Sequence, residues 1–332
     1  MANENGKPKT PEEKIAAARS RSKSQSTIAD EAAKVPKTHD EWVEAELMKQ
    51  FYKPKPVSRA TRIAKSDKPM ATLVPVRHPQ KDFFVADIMD VSMKDDMASM
   101  EHPFFALQAG DMRVRRYERN GYSVEVQPGH GGCATIHDKD IWIYCISQMI
   151  EAMNRGRDDV TRTVRFTAYD FLHTTNRDTQ GDGYKRMCDA LARLRNTGIE
   201  TNIETSGQRE HKGFGLIGEW TVIKKTGGRM VAVEVVLPEW LFRSVQAKQV
   251  LTLSPDYFRI RKALDRRIYE LARKHCGSQR QWQCTLATLF EKSGSRDKIR
   301  NFRGAIKALA IANDLPDYKV SLVDDLVTFL RR

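Results

Sequence analysis

The apolar positions near the end of the chain recur at helical spacing. In SPDYFRIRKALDRRIYELARKHCG, apolar residues three and four positions apart form one stripe from Tyr257 to Leu271. This pattern predicts an amphipathic helix that ends at Gly277. Thr285 is placed to cap a short second helix, LATLFEK, and Gly294 is placed to end it. Two successive helices are therefore expected here.

A third helix and a hairpin complete this region. The run SRDKIRNFRGAIKALAIAND predicts a helix with a buried seam of Ile299, Phe302, Ile306 and Leu309. In YKVSLVDDLVTFLR, two alternating runs flank Asp324 and Asp325, which predicts a short hairpin. Three helices followed by a hairpin is the element order of a winged helix-turn-helix.

Residues 138–242 repeat that order. A helix from Asp138 ends at Gly156, the strand TRTVRF follows, and Thr167 caps the helix AYDFLHTT. The next helix, YKRMCDALARLRNTG, ends at Gly198 and is expected to bury Met187, Leu191 and Leu194. The runs IETNIET, FGLIGEWTVIKK and RMVAVEVVLP then predict three strands of a larger wing sheet.

Residues 1–82 have a different composition. They are poor in apolar residues and carry 17 basic and 11 acidic residues, which predicts a largely disordered basic extension with a short helix at about 40–51. A solvated tail and an arm that slides on DNA are equally compatible with this segment. A hairpin around Asn120 and Gly121 is expected to pack beside the first module.

The predicted fold class is therefore α+β, with two tandem winged helix-turn-helix domains after the basic N-terminal extension. The expected divisions are 1–82 for the extension, 83–245 for domain 1 with its hairpin, and 246–332 for domain 2. The segment PEWLFRSV is expected to form a helix in the short link between the two domains.

Charge favours a nucleic-acid partner over the alternative of an ordinary all-α domain. Residues 255–332 carry 17 basic and 9 acidic residues, a net of +8 within a chain of net +13. Such an excess on one small domain is typical of phosphate contact. Residues 161–242 are nearly balanced, with 12 basic and 10 acidic residues, so weaker DNA binding or a protein contact is expected there. The predicted DNA-contacting residues are Lys185, Arg186, Asp189, Arg193, Lys224, Lys225, Arg266, Arg296, Lys298, Arg300, Asn301, Arg303, Lys307 and Lys319.

The sequence carries no motif typical of a catalytic site. Initiators that nick DNA use two histidines separated by one residue, and none of the eight histidines here has that spacing. A GxxxxGK[ST] phosphate loop is also absent. Asp138 and Asp140 are interpreted as cap and helix-dipole partners rather than metal ligands. We expect no enzymatic activity, cofactor or metal.

The remaining composition is that of a cytoplasmic protein. The five cysteines form no CxxC pair, so reduced and mostly buried thiols are expected. Neither an apolar signal core nor an apolar run of about 20 residues is present, which favours the cytoplasm.

The run VLTLSPDYFRIRKALDRRIYELARKHCG, with VVLPEWLFRSV and GYKRMCDALARLRNTGIETNI before it, resembles the replication initiator protein A family of plasmids. The resemblance covers roughly residues 83–332. It implies binding to direct repeats in double-stranded DNA at a plasmid origin, local strand opening, and recruitment of the host replicative helicase and its loader. It leaves monomer and homodimer open as states. A transcriptional repressor and a plasmid partition DNA-binding protein are the alternatives that the same modules would serve.

Overall fold

The computed structural model describes residues 84–332, apart from 120, 205–206, 208 and 225–229. The predicted basic extension and its short helix at 40–51 lie outside these residues. The first elements are strands β1 (Phe84–Val85) and β2 (Lys94–Asp96), helix α1 (Met97–Glu101), and the antiparallel strands β3 (Arg115–Arg119) and β4 (Tyr122–Gln127). Gly121 has a φ of +76° in the turn after β3, so the predicted hairpin is confirmed.

The central elements follow the predicted order closely. They are α2 (Asp140–Asn154), β5 (Thr163–Phe166), α3 (Ala168–Thr174), α4 (Gly181–Asn196), β6 (Gly198–Thr201), β7 (Lys212–Gly215), β8 (Trp220–Lys224), β9 (Met230–Val236), α5 (Glu239–Gln246) and β10 (Val250–Thr252). Thr167 caps α3 as predicted, because its hydroxyl accepts a hydrogen bond from the Asp170 backbone N–H at 3.1 Å. The inward positions of α4, Met187, Leu191 and Leu194, are buried as predicted.

The last elements are a 3-10 turn (Tyr257–Arg259), α6 (Ala263–Cys276), β11 (Gln281–Thr285), α7 (Leu286–Ser293), α8 (Ile299–Ala312), β12 (Tyr318–Val323) and β13 (Leu326–Arg331). Thr285 caps α7, Gly294 ends it with a left-handed φ of +68°, and Gly277 ends α6. The predicted hairpin is confirmed, with Val323 paired to Leu326 across the tip. Strand β11 was not predicted, and it pairs with β13 to give the sheet order β11-β13-β12.

The single helix predicted from Tyr257 to Leu271 is wrong in its first part. The chain forms a 3-10 turn, leaves helical geometry at Ile260, and resumes as α6. The Arg266 side chain accounts for this break. Its Nε donates to the Ile260 carbonyl oxygen at 2.7 Å, so that carbonyl is paired without a continuous helix.

The predicted wing strands of the upstream region also divide differently. The run FGLIGEWTVIKK contains two strands, β7 and β8, that belong to different sheets. Between them Leu216 and Ile217 are both fully buried, which ends the alternation of a half-buried strand. One sheet has the order β3-β4-β6-β7, and the other has the order β1-β5-β9-β8. The hairpin β3–β4 is thus part of a four-stranded sheet.

Two hydrophobic clusters fill the described part of the chain, which belongs to one compact unit. The first cluster is built on the two four-stranded sheets and α2 to α5, and the second on α6 to α8 and the strands β12 and β13. Helix α2 contributes to both, because Ile143 packs in the second cluster and Ile146 in the first. The fold is therefore a mixed α+β fold, as predicted.

Candidate nucleic-acid interface

The start of α8 presents a group of exposed basic and amide side chains. Arg296 and Lys298 lie in the turn before the helix, and Arg300 and Asn301 lie in its first turn. All four side chains are exposed, as predicted. We name these four residues the α8 cluster. Three cations and an amide at one helix start can donate hydrogen bonds to phosphates or to base edges.

Burial on the opposite face of α8 orients the α8 cluster. Phe302, Ile306 and Leu309 are buried as predicted, and their spacings of four and three residues place them on one side. Ile299 was predicted to join them, but it is 48% exposed. It is the first residue of the helix, so it lies beyond the edge of the core that the other three fill.

Arg303 links α8 to the tip of the β12–β13 hairpin. Its Nη1 donates to the Asp324 carbonyl oxygen at 2.7 Å, and its guanidinium forms an ion pair with the Asp325 carboxylate. Its charge is therefore already balanced within the protein. The geometry makes Arg303 a residue that positions α8 against the hairpin, which the sequence pattern did not indicate.

The predicted contacts on α4 divide into exposed and paired side chains. Lys185, Arg186 and Asp189 are exposed. Arg193, which was predicted to point outward, is half-buried, and its Nε and Nη2 each lie 2.8 Å from the Asp138 carboxylate. That hydrogen bonding raises the pKa of Arg193. The two-point contact anchors α4 to the chain before α2, so the prediction that Arg193 points outward is wrong.

Arg266 was also predicted to contact DNA, and its observed position differs more strongly from an exposed one. It is only 3% exposed, and its Nη1 lies 2.6 Å from the buried Asp140 carboxylate. The same carboxylate accepts from Arg177 at 2.7 Å. Arg266 is therefore not an outward-facing side chain of α6, because its guanidinium is directed into the protein by a buried carboxylate from a distant part of the chain. Asp140 is an ion-pair partner rather than a simple dipole partner of α2.

A second buried ionic group lies between β2, α2 and α6. Lys139 Nζ is 2.6 Å from the Asp95 carboxylate and 3.1 Å from that of Glu270, and all three side chains are essentially inaccessible. Glu270 also accepts from the Tyr257 hydroxyl at 2.7 Å and from Arg267 at 3.2 Å. The sequence analysis missed this group. The sequence gives one signal of this group, which is that the acidic residue Glu270 lies next to the apolar stripe of α6. Counting charges cannot distinguish such a position from one on a solvated face.

The other predicted contacts lie on separate elements. Lys224 is exposed at the end of β8, Lys307 on α8 and Lys319 on β12, while Lys225 lies outside the described residues. Arg186 and Arg266 line one cleft. The structure thus groups the α8 cluster and sets it on a different helix from the exposed residues of α4.

Three further features of the described residues concern metal ligands, helix length and cysteines. Among the described residues, no group of three or more His, Cys, Asp or Glu side chains is placed to hold a metal ion. No described helix has the length and apolarity needed to cross a bilayer. All five cysteines carry free thiols; Cys133, Cys145 and Cys276 are buried, and the other two are half-buried.

Comparison with known proteins identifies a matching family and a solved structure of similar fold. A family model described as Replication initiator protein A matches residues 94–320. A "Putative replication protein" of Wigglesworthia glossinidia brevipalpis is 40% identical over 258 residues, which covers 76% of this chain and 94% of the relative. A crystal structure of domains 2 and 3 of RctB has a TM-score of 0.51 at 11% identity and covers 71% of this chain and 98% of that one. At that identity the likeness to RctB concerns the fold alone.

Proposed function

This chain belongs to the replication initiator protein A family, and from that premise we propose that it binds double-stranded DNA at the repeats of a plasmid origin. The observation that carries the proposal is the α8 cluster, an exposed basic and amide surface at the start of a helix. Residues at the start of a recognition helix are those that reach base edges in the major groove. We place this activity in the bacterial cytoplasm.

We propose that residues 83–245 and 246–332 form two winged helix-turn-helix modules. In the downstream module, α7 and α8 are the two helices of the motif and the β12–β13 hairpin is the wing. The element order helix, strand, helix, helix, strand, strand supports this assignment. In the upstream module α3 and α4 take the same roles, and the β8–β9 hairpin is the wing. Its near-neutral charge supports a weaker contribution to affinity.

Opening of the origin would draw on binding energy. The sequence lacks a GxxxxGK[ST] loop, so strand opening is assigned to bending or to preferential binding of an opened duplex rather than to hydrolysis of a nucleotide. Further unwinding is assigned to the host replicative helicase and its loader, which are the proposed protein partners. The monomer and a homodimer in equilibrium with it are both proposed states of the protein.

The proposal is tested by transforming a bacterial host with a plasmid whose sole origin is this gene and its adjacent DNA. Replication that depends on the intact gene, with protection of the adjacent repeats in a footprint, is the expected result. An Arg300→Ala plus Asn301→Ala double variant should lose both, whereas the exposed Arg280→Ala is the matched control. Protection without replication would identify a repressor or a partition protein instead.

A further inference from the structure

A solvent-open cleft lies between the upstream and downstream modules. Its volume is about 380 Å³, and its lining comes from the start of α2, the loop before α4, the first turns of α4, and the segment around α6. Four arginines and two aspartates line it, with the remaining positions polar or glycine. Its net charge is therefore positive by two.

One of the two carboxylates in the cleft is neutralised from within. Asp140 accepts from Arg266 at 2.6 Å and from Arg177 at 2.7 Å, so two guanidinium groups share one buried carboxylate. This arrangement leaves an excess of positive charge at the base of the cleft. The base of the cleft is continuous with the protein interior, because Arg266 and Asp140 are both almost fully buried.

The two other arginines of the cleft come from different elements. Arg186 projects from α4 with 72% of its side chain exposed, and its nearest carboxylate, that of Asp182, is 4.0 Å away. Arg261 is exposed in the segment before α6, where its Nη1 makes a long 3.4 Å hydrogen bond to the Asn176 carbonyl oxygen. Both guanidinium groups are thus largely available to a ligand.

The pKa of His137 is sensitive to the charge of the cleft. Burial, followed by the nearby Arg266 guanidinium, lowers the pKa of His137 to about 4. The imidazole is therefore neutral at pH 7 and adds no charge of its own. An anion that enters the cleft should raise this pKa, because it would offset the arginine charge.

We propose that this cleft binds a phosphate group, and that its source is a DNA backbone phosphodiester held between the two modules. The inference rests on the proposed function. Guanidinium groups match phosphate oxygens through paired N–H donors. A free nucleotide fits less well, since among the described residues that line the cleft none offers a Phe, Tyr or Trp ring on which a base could stack, and the imidazole of His137 is half-buried. The cleft borders the first turns of α4, so a duplex bound to that helix would pass its mouth.

Arg261→Ala tests the cleft, because this side chain is exposed and makes a single long hydrogen bond. The matched control is Arg259→Ala, which removes another exposed arginine of the same segment, one that pairs with Asp256 at 2.8 Å. Affinity for a duplex containing the adjacent repeats is measured from low to high salt. Arg261→Ala should reduce the slope of log affinity against log salt by about 0.9, the value for one lost phosphate contact. The control should keep the wild-type slope.

Each module is proposed to contact one half-site of the DNA, and a scan of neutral methylphosphonates across the phosphates between the two half-sites locates the contact. At one position the substitution should weaken wild-type binding several-fold and leave Arg261→Ala unaffected. A variant that binds with the wild-type slope, and that loses the same affinity as the wild type at every methylphosphonate, would overturn the DNA assignment.

Inorganic phosphate separates the two sources of the group. The pKa of His137, followed by NMR with and without phosphate, should rise in the wild type and not in Arg261→Ala. If phosphate acts in this way while DNA binding is unchanged, the cleft serves a free anion and the DNA source is wrong. If the wild type does not bind the repeats adjacent to its gene, the proposed function fails. The phosphate titration alone then decides whether the cleft binds phosphate, and the absence of a rise in the His137 pKa would overturn that proposal.

Discussion

Asp140 shows how a single buried carboxylate organises distant parts of this chain. It receives hydrogen bonds from Arg177, in the loop before α4, and from Arg266, on α6. Removing a charge from water costs several kcal/mol, and the cost is recovered only where partners are well placed. Here the partners come from segments separated by 37 and 126 residues. The pair therefore fixes tertiary arrangement as well as local structure.

Arg266→Met should strongly destabilise the protein. The change keeps an unbranched side chain but leaves Asp140 with Arg177 alone and frees the Ile260 carbonyl oxygen. We expect a loss of about 3–5 kcal/mol in the free energy of unfolding, measured by urea denaturation. The exposed Arg259→Met is the control and should stay within about 0.5 kcal/mol of the wild type. An equally small effect of Arg266→Met would contradict the role assigned to the buried pair.

We expect two single substitutions, Arg300→Ala and Asn301→Ala, to weaken binding to the DNA repeat beside the gene by about 1–3 kcal/mol each. Each should also relax the base preference at one position of the repeat. Both side chains are exposed at the start of α8, so stability should be unaffected. Affinity on the natural repeat and on repeats with single base changes measures the effect. Unchanged affinity and unchanged preference would show that another helix reads the groove.

At the scale of elements, β2, α2 and α6 are joined by buried ions rather than by apolar contact alone. Lys139, at the start of α2, is shared by Asp95 of β2 and Glu270 of α6. Asp96 adds a link to α5, because it accepts from the Ser244 hydroxyl at 2.7 Å. Ion pairs of this kind are sensitive to geometry, so they favour one packing of these four elements over others.

This group should give folding a specific pH dependence. Burial raises the pKa of Asp95 to about 7; Lys139 opposes that rise, and Glu270 and Asp96 add to it. In the unfolded chain the pKa is near 3.8. The folded protein therefore holds a proton that the unfolded chain releases, and the stability from Asp95 is lost as the pH rises from about 4 through 7.

Asp95→Asn removes this titration. The wild type should lose stability relative to Asp95→Asn between pH 5 and pH 8, by at least the ~1.4 kcal/mol that one pKa unit represents. Urea denaturation at both pH values measures the difference. His102 and His137, whose pKa values are lowered by burial, act in both proteins and cancel. Exposed Asp90→Asn is the control, and a pH-independent difference for Asp95→Asn would refute the assignment.

For the whole molecule, the buried ions lie where the two hydrophobic clusters meet. Ile143 of α2 belongs to the second cluster although its sequence neighbours Trp142 and Tyr144 belong to the first, and Met100 of α1 also packs in the second. Strand β10 also pairs with β2 across more than 150 residues of chain. These contacts favour a fixed orientation of the two proposed DNA-reading modules, which constrains the DNA sites that both can reach at once.

If both modules read one site, the affinity should depend on helical phase. Inserting about 5 base pairs between the half-sites turns one of them to the opposite face of the duplex and should lower affinity toward that of one module. Inserting about 10 base pairs should restore part of it. Affinity across the insertion series is the measurement. A series without phase dependence would make residues 83–245 a protein-contact domain.

Local patterns in the sequence were sufficient for much of this architecture. Thr167 and Thr285 cap helices, Gly294 ends one, and the turn at Asp324 closes a hairpin, because each of these features depends on neighbours within about five residues. The exposed α8 cluster was also predictable. Its residues lie opposite or ahead of an apolar seam whose period is visible in the sequence.

Tertiary structure decided the features that depend on distant partners. The division of β7 and β8 between two sheets and the addition of β11 follow from pairing with strands elsewhere in the chain. The inward positions of Arg193 and Arg266 follow in the same way from Asp138 and Asp140. The sequence pattern of a helix is the same whether its basic side chain faces water or pairs with a buried carboxylate. The fold supplies that partner, and so it determines which charges are left for DNA.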